Sequence, residues 1–113
     1  MNVLYCLRCE GDRYYVGQTP MGRFETRLDE HINWHGAKWT TLHKPLEVLW
    51  KRHVSDTEVA REEDRACCEI MRQFGINSCR GGLFNIGRDV RGMPWWAKPV
   101  YKQYEQEILA ASS

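Results

Sequence analysis

The sequence lacks any long hydrophobic run. No apolar stretch approaches the roughly eighteen residues that a membrane-spanning helix needs. The N-terminal residues also lack a signal-peptide pattern, because a strand-like pattern begins at Val3. We therefore expect no membrane association, and a location inside the cell, in the cytoplasm or nucleus, rather than secretion.

The sequence also lacks the second ligand pair that would complete a zinc site. Cys6 and Cys9 form a Cys-x-x-Cys pair, but the remaining cysteines, at positions 67, 68 and 79, do not repeat that spacing. A closed structural zinc site takes a second pair at similar spacing. We expect free thiols that pack as small hydrophobic residues in a reducing compartment. A zinc or redox role for Cys6 and Cys9 is the alternative.

A strong net charge is absent as well. The chain has 113 residues, a formal net charge of +1, 42% hydrophobic residues and 27% charged residues, which indicates one globular domain. The charge is unevenly distributed, because Asp89 is the one acidic residue between Arg72 and Lys102. Six basic residues in that stretch predict a local basic face.

A β-hairpin is predicted near the N-terminus. Two strand-like runs, residues 3–9 and 13–18, are separated by a glycine between polar residues, Glu10-Gly11-Asp12. A further short strand is predicted at residues 46–50. Residues 77–85, with Arg80-Gly81-Gly82 at their centre, are predicted to form a loop.

Three helices complete the predicted architecture. The first begins at Thr19-Pro20, carries an apolar stripe at four-residue spacing and ends near Gly36; the second begins at a capping box and ends at Gly75; the third is spaced by apolar residues near the C-terminus. The stripe of the first helix consists of Phe24, Leu28 and Ile32. The capping box of the second is Ser55-Asp56-Thr57-Glu58, and the apolar residues of the third are Val100, Tyr104 and Ile108. The fold class is α+β, with a small three-stranded antiparallel or mixed sheet flanked by helices.

Glu63 lies on the apolar face of the second predicted helix. At about 100° per residue, it falls at the centre of an arc formed by Val59, Ala66, Cys67, Ile70 and Phe74. An ionised carboxylate on an inward face costs several kcal/mol unless it is paired or bound to a metal. Two interpretations follow, a buried salt bridge, for instance with Arg27, and a metal ligand at the edge of the sheet.

Four further side chains suit a phosphodiester. Arg27 and His31 are four residues apart and share a helix face. Tyr5 and Tyr15 have matching parity in the paired strands, which predicts that both project from one face of the sheet. A guanidinium holds phosphate, an imidazole moves a proton, and a phenol near a cation orients or deprotonates water. The alternatives are an exposed pair without a ligand and tyrosines that only pack.

These residues together resemble the GIY-YIG nuclease family. Its two signature tripeptides correspond to Val3-Leu4-Tyr5, which keeps only the tyrosine, and Tyr15-Val16-Gly17. Arg27 and His31 have the family's Arg-x-x-x-His spacing, and Glu63 matches the acidic residue on the next long helix. The resemblance covers residues 3–85.

The resemblance implies an endonuclease that hydrolyses DNA phosphodiester bonds with one divalent cation, Mg²⁺ or Mn²⁺. It implies that Glu63 binds the cation and that Arg27 clamps the phosphate. It further implies that Tyr5 or Tyr15 activates the attacking water, assisted by His31. The choice between the two tyrosines stays open at this point.

Four residues are candidate substrate contacts. Gly17 would allow the backbone to approach the substrate closely. Lys38 and Arg80 are candidates for phosphate contacts that do not depend on sequence. Asn85 corresponds to the late asparagine of the family that the sequence resembles.

The C-terminal part lies outside the resemblance. We expect a nuclease core at residues 1–85 and a helical extension at residues 86–113, which packs on the same domain or on a dimer partner. DNA is the expected partner, and a homodimer or a targeting protein would supply specificity. An alternative to the enzyme is a nucleic-acid-binding module of the same fold with weak or lost catalysis.

Overall fold

The computed structural model describes residues 1–33 and 35–112. In that part of the chain, no helix has the length and apolar character needed to cross a membrane. The elements, in chain order, are β1 (Asn2–Cys9), β2 (Arg13–Pro20), α1 (Phe24–Ile32), α2 (Lys38–Leu42), β3 (Pro45–Val54), α3 (Val59–Phe74), β4 (Cys79–Arg80), a 3₁₀ turn (Gly82–Phe84) and α4 (Lys98–Ser112).

The predicted α+β class is confirmed, but the sheet has four strands in the order β3-β1-β2-β4. β1 pairs antiparallel with both β2 and β3, whereas β4 runs parallel to β2 through Tyr14 and Tyr15. The prediction of three strands, with residues 77–85 as loop, was therefore wrong. A two-residue strand carries no periodic pattern of its own, and β4 is defined by its pairing with a strand far away in the sequence.

The hairpin between β1 and β2 sets the register of the site. Gly11 and Asp12 at the turn both have positive φ angles, 74° and 57°, which is the geometry of tight hairpin turns. The resulting register places Tyr5 opposite Gly17. It also pairs Thr19 and Pro20 with β1, so the first helix cannot begin at these residues, as predicted, and starts at Phe24 instead.

The sheet separates two hydrophobic cores. On one face, β1 and β2 pack against α1 and α2; on the other face they pack against α3 and α4. The first core contains Val3, Tyr5, Leu7, Cys9, Tyr15, Phe24 and Trp39. The second contains residues such as Leu4, Cys6, Val16, Cys67, Met71, Phe84 and Tyr104. Successive residues from Val3 to Leu7 therefore belong alternately to the two cores, because strand side chains repeat with a period of two residues.

The apolar stripe predicted for α1 is only partly correct. Phe24 is buried, but Ile32 is 41% exposed and the fully buried residue in the last turn is His31. The helix is therefore rotated so that an imidazole, rather than an isoleucine, enters the first core. A polar group at such a position needs hydrogen-bond partners.

The five cysteines are free and buried. Within the described residues, no group of three or more His, Cys, Asp or Glu side chains could hold a metal ion. Cys6 and Cys9 belong to different cores, on opposite faces of the sheet. The thiols thus pack as small hydrophobic side chains.

The C-terminal helix α4 packs on α3 within the same chain. Tyr104 contributes to the second core. Two ion pairs join the helices, Arg61 with Glu107 at 2.8 Å and Arg72 with Glu105 at 3.5 Å. Because these charges are largely exposed, most of the stabilisation comes from the apolar contact.

Arg80 is buried and its guanidinium is fully used inside the protein. Only 1% of the residue is exposed, and it lies 4.6 Å from the centre of the Trp39 ring. Its N–H groups donate to the carbonyl oxygens of Ile76, Cys79, Ile86 and Arg88 and to the side-chain oxygen of Asn77. A guanidinium has five N–H donors, so none is left for a phosphate. The expected phosphate contact of Arg80 is not compatible with this arrangement.

Replacing Arg80 tests this structural role. Arg80→Met removes every donor to the surrounding carbonyl groups, and unsatisfied buried polar groups are costly. We expect the free energy of unfolding, measured by urea denaturation, to fall by about 3 kcal/mol. Arg91→Met, at an exposed position, should change it by less than about 0.5 kcal/mol. Equal effects of the two substitutions would contradict the structural role.

Candidate active site

Gly17 makes room for the two tyrosines. A β-carbon at this position would lie 2.5 Å from the Tyr5 hydroxyl oxygen and 2.8 Å from Cε2 of Tyr15. Both distances are too short for any real contact, so the glycine is required by the packing of the phenol rings. The predicted role of Gly17, close approach of a substrate, is not needed to explain why the residue is glycine.

Tyr5 and Tyr15 share one face of the sheet, as their parity predicts. Their ring centres are 6.4 Å apart, and both residues are buried in the core that contacts α1. The His31 ring lies beside both of them, 5.9 Å from Tyr5 and 4.9 Å from Tyr15. Two phenols and one imidazole therefore form a compact cluster between β1, β2 and α1.

Hydrogen bonds distinguish Tyr5 from Tyr15 within this cluster. The Tyr5 hydroxyl is 2.9 Å from Nε2 of His31. The other ring nitrogen of His31, Nδ1, is 2.9 Å from the hydroxyl oxygen of Thr40. Thr40 lies in α2, a short helix that is not among the three predicted from the sequence.

Arg27 supplies the positive charge of the cluster. Its positive charge opposes the rise in the pKa of both Tyr5 and Tyr15, and its guanidinium forms an ion pair with Glu30 at 3.2 Å. The side chain is about a third exposed, at 30%. It therefore joins the buried phenols to the solvent-facing side of the site.

Burial determines the protonation states of these groups. It raises the pKa of Tyr5, the neighbouring Tyr15 adds to the effect, and Arg27 opposes it. Burial, with a contribution from Arg27, lowers the pKa of His31 to about 4. Near neutral pH, His31 is therefore an uncharged imidazole and Tyr5 a neutral phenol, so that one nitrogen of His31 is available as a proton acceptor.

Glu63 approaches from the opposite side of the sheet, on α3. It is only 8% exposed. Burial raises its pKa to about 7, the neighbouring Asp64 adds to this, and a hydrogen bond with Gln18 opposes it. Gln18 follows Gly17 on β2, and the charge of Glu63 raises the pKa of both Tyr5 and Tyr15. The carboxylate and the phenol cluster thus meet around β2.

The chain after β4 covers the carboxylate. A β-carbon on Gly82 would lie 3.3 Å from Oε1 of Glu63 and 2.2 Å from Oδ1 of Asp64. The Leu83 backbone N–H donates to Asp64 at 2.8 Å. Gly82, with a φ of 54°, therefore allows the backbone to pass directly over two adjacent carboxyl groups.

The salt-bridge interpretation of Glu63 is not what the structure shows. Among the ion pairs of the described residues, Arg27 is paired with Glu30 and not with Glu63. The neighbouring Glu62 faces Arg52 instead, at 2.8 Å. Glu63 is thus a buried carboxyl group whose neighbours are an acid, an amide and backbone. This donor set suits a hard divalent cation, since Mg²⁺ is commonly held by one or two carboxylates together with substrate phosphate and water.

The remaining predicted contacts, Lys38 and Asn85, are exposed. Lys38 is exposed at the start of α2, and a β-carbon on Gly87 would lie 2.7 Å from its side chain. Asn85 is exposed directly after the 3₁₀ turn. The structure brings together Tyr5, Tyr15, Arg27, His31 and Glu63. In the described part of the chain, neither Lys38 nor Asn85 forms a hydrogen bond or ion pair with them.

The raised pKa of Glu63 predicts a pH dependence of stability. Its folded-state pKa of about 7 exceeds the ordinary value of 4.5, so the wild type should lose stability as pH rises from about 4.5 to 7 and remain lower above that. The Glu63→Gln variant has no carboxyl group at this position and should not lose this stability. The difference in unfolding free energy, variant minus wild type, should therefore increase by roughly 3 kcal/mol between about pH 4.5 and 7. It is measured by urea denaturation with a chelator present.

Glu62→Gln is the matched control for this titration. It makes the same chemical change one residue away, on the side that faces Arg52. Asp64 titrates in all three proteins, so its effect cancels in the comparison. If the curves of wild type and Glu63→Gln run parallel between pH 4.5 and 7.5, Glu63 is not desolvated as described.

Comparison with known proteins places these residues in a family. The family model described as the GIY-YIG catalytic domain matches residues 1–66, which include the five clustered side chains. A UPF0213 protein of Oceanobacillus iheyensis is 38% identical over 63 residues, 55% of this chain and 71% of the relative. A UPF0213 protein of Cupriavidus necator is 45% identical over 47 residues, 41% of this chain and 48% of the relative.

This chain thus spans about half the length of the second relative. No solved structure gives a significant match. The family model covers more than half of the chain and contains the whole cluster of phenols, guanidinium, imidazole and carboxylate. The chain therefore belongs to the GIY-YIG family, whose catalytic domains are generally nucleases.

Proposed function

We propose that this protein is an endonuclease that hydrolyses DNA phosphodiester bonds with one divalent cation, Mg²⁺ or Mn²⁺. The observation that carries the proposal is the buried hydrogen bond of 2.9 Å between the Tyr5 hydroxyl and His31 Nε2, with the Arg27 guanidinium beside it. A phenol with a neutral proton acceptor and an adjacent cation is suited to activating water. Membership of the family supports nuclease chemistry in general.

Tyr5 is the better candidate of the two tyrosines for the proton transfer. Water attacks the phosphorus and gives its proton to the Tyr5 oxygen, while the Tyr5 proton passes to Nε2 of His31. A new P–O bond forms, the bond to the leaving oxygen breaks, and solvent protonates the leaving oxygen. Tyr15 has no equivalent hydrogen bond to His31 among the described residues, although the two rings are in contact. We assign Tyr15 to packing and to holding Arg27.

Arg27 is placed to hold the scissile phosphate. The guanidinium is partly exposed and is held by an ion pair with Glu30. Its charge stabilises the extra negative charge that builds on the non-bridging oxygens as water attacks. The contact also keeps the phosphorus close to the Tyr5 oxygen, which reduces the entropic cost of the reaction.

Glu63 would hold the cation, with Asp64 and Gln18 next to it. A bound divalent cation supplies charge stabilisation on the phosphate and the leaving oxygen. Glu63 is buried and forms no ion pair within residues 1–33 and 35–112, and a bound cation would offset its desolvation penalty. Lys38, exposed at the start of α2, would contact neighbouring phosphates. A homodimer or a targeting partner that directs the enzyme to DNA remains a prediction.

A plasmid-nicking assay tests the proposed function. Purified wild-type protein should convert supercoiled plasmid to nicked circles with Mg²⁺ or Mn²⁺, and a chelator should stop the reaction. Glu63→Gln should lower the rate by roughly 100-fold or more, because several kcal/mol of charge stabilisation is lost. The rate constants are measured from the decay of supercoiled DNA.

Glu62→Gln serves as the control, since it neutralises a carboxylate that points away from the site. Its nicking rate should stay within about threefold of wild type. Equal nicking by wild type and Glu63→Gln would show that Glu63 is not the cation ligand. Binding of plasmid, branched and single-stranded DNA without cleavage of any of them would favour the nucleic-acid-binding module.

A further inference from the structure

Thr40 lies behind His31, on the side away from Tyr5. It is only 1% exposed, and its hydroxyl oxygen has two close polar neighbours. Nδ1 of His31 is 2.9 Å away, and the carbonyl oxygen of Ala37 is also 2.9 Å away. Thr40 takes no direct part in the proposed attack of water on the phosphate.

The two neighbours of Thr40 fix where its hydrogen lies. A carbonyl oxygen only accepts hydrogen bonds, and a hydroxyl has a single hydrogen to donate. At 2.9 Å, the Thr40 hydroxyl must therefore direct that hydrogen to Ala37, because two oxygens without a hydrogen between them repel. The lone pair of Thr40 is left for His31, so Nδ1 of His31 must carry the hydrogen.

This assignment determines the tautomer of His31. With its hydrogen on Nδ1, an uncharged imidazole has a free lone pair on Nε2. The Tyr5 hydroxyl then donates to Nε2. These hydrogens thus point one way, from Tyr5 through His31 and Thr40 to the Ala37 carbonyl group.

We infer that Thr40 is a positioning residue that holds His31 in the tautomer whose Nε2 accepts the proton of Tyr5. The inference rests on the proposed function for its effect on rate, though not for its effect on the tautomer. In the opposite tautomer, Nε2 would carry a hydrogen and donate to the Tyr5 oxygen. The Tyr5 proton would then have no acceptor on His31, and the transfer from water would stop.

Gly36 packs closely against Nδ1 of His31 within the described part of the chain. A β-carbon on Gly36 would lie 2.3 Å from Nδ1 of His31 and 3.0 Å from its Cα. The backbone at Gly36 therefore presses directly on the imidazole, and His31 itself has no exposed surface. Loss of the Thr40 hydroxyl would leave an N–H at Nδ1 unsatisfied, which favours moving the hydrogen to Nε2.

The test combines NMR of the imidazole with cleavage kinetics. Nitrogen-15 shifts and couplings of His31 report which ring nitrogen carries the hydrogen, without DNA or a cation. The wild type should show a protonated Nδ1. Thr40→Val, which keeps the shape and removes the hydroxyl, should shift the population toward a protonated Nε2. Its kcat should fall roughly 10- to 100-fold with KM for DNA unchanged, since proton transfer is impaired and binding is not.

Two further variants separate positioning from structure. Thr40→Ser keeps the hydroxyl and should restore the wild-type tautomer and a kcat within about threefold. Thr41→Val is the matched control: the Thr41 hydroxyl also donates to Ala37, at 3.2 Å, and the residue is exposed. This substitution should change neither readout.

The outcomes distinguish this inference from the proposed function. A wild type with hydrogen on Nε2, or a Thr40→Val variant with unchanged tautomer and rate, overturns the role of Thr40. If Thr40→Val does not fold, the wild-type spectrum and Thr40→Ser still decide between the tautomers. A wild type that shows the Nδ1 tautomer yet cleaves no DNA supports the positioning of His31 and contradicts the nuclease proposal.

Discussion

The candidate site depends on the direct pairing of Tyr5 with a residue that has no side chain. The hairpin register places Tyr5 opposite Gly17, and any β-carbon there would collide with the phenol. The Tyr5 ring can therefore lie across β2, with its hydroxyl at His31 and Arg27. A shift of the register by one residue would move Tyr5 to the other face of the sheet. The register of the hairpin therefore determines whether the Tyr5 hydroxyl reaches His31.

The sheet also divides the site into two electrostatic parts. The phenols, Arg27 and His31 belong to the side of α1, whereas Glu63 reaches the same region from α3. Burial keeps Tyr5 and His31 uncharged and raises the pKa of Glu63 to about 7. Desolvation thus favours the neutral form of each of these groups, at a cost in stability that the apolar cores must offset. A cation at Glu63 and a phosphate at Arg27 would compensate for much of that cost.

Local sequence patterns predicted the parts of the fold in which buried side chains recur at the spacing of a strand or a helix. Strand parity placed Tyr5 and Tyr15 on one face, and the helical wheel placed Glu63 among apolar side chains. The patterns failed where contacts between residues far apart in the sequence determine the structure. β4 exists through pairing with β2, and Arg80 is buried because the carbonyl groups of residues 76–88 surround it. Thr40 gains its importance from a contact with His31 that α2 creates, and nothing in the composition of residues 36–45 indicates that helix.

The central claim is that the Tyr5 hydroxyl passes its proton to His31 as water attacks. Single-turnover cleavage of DNA by Tyr5→Phe and Tyr15→Phe tests it most directly, because both changes remove one hydroxyl and keep the ring. We expect Tyr5→Phe to slow the chemical step by about 100-fold or more, whereas Tyr15→Phe should slow it by less than about tenfold. Binding of DNA should be unchanged in both. A Tyr5→Phe variant that cleaves at the wild-type rate, or a larger loss with Tyr15→Phe, would contradict the claim.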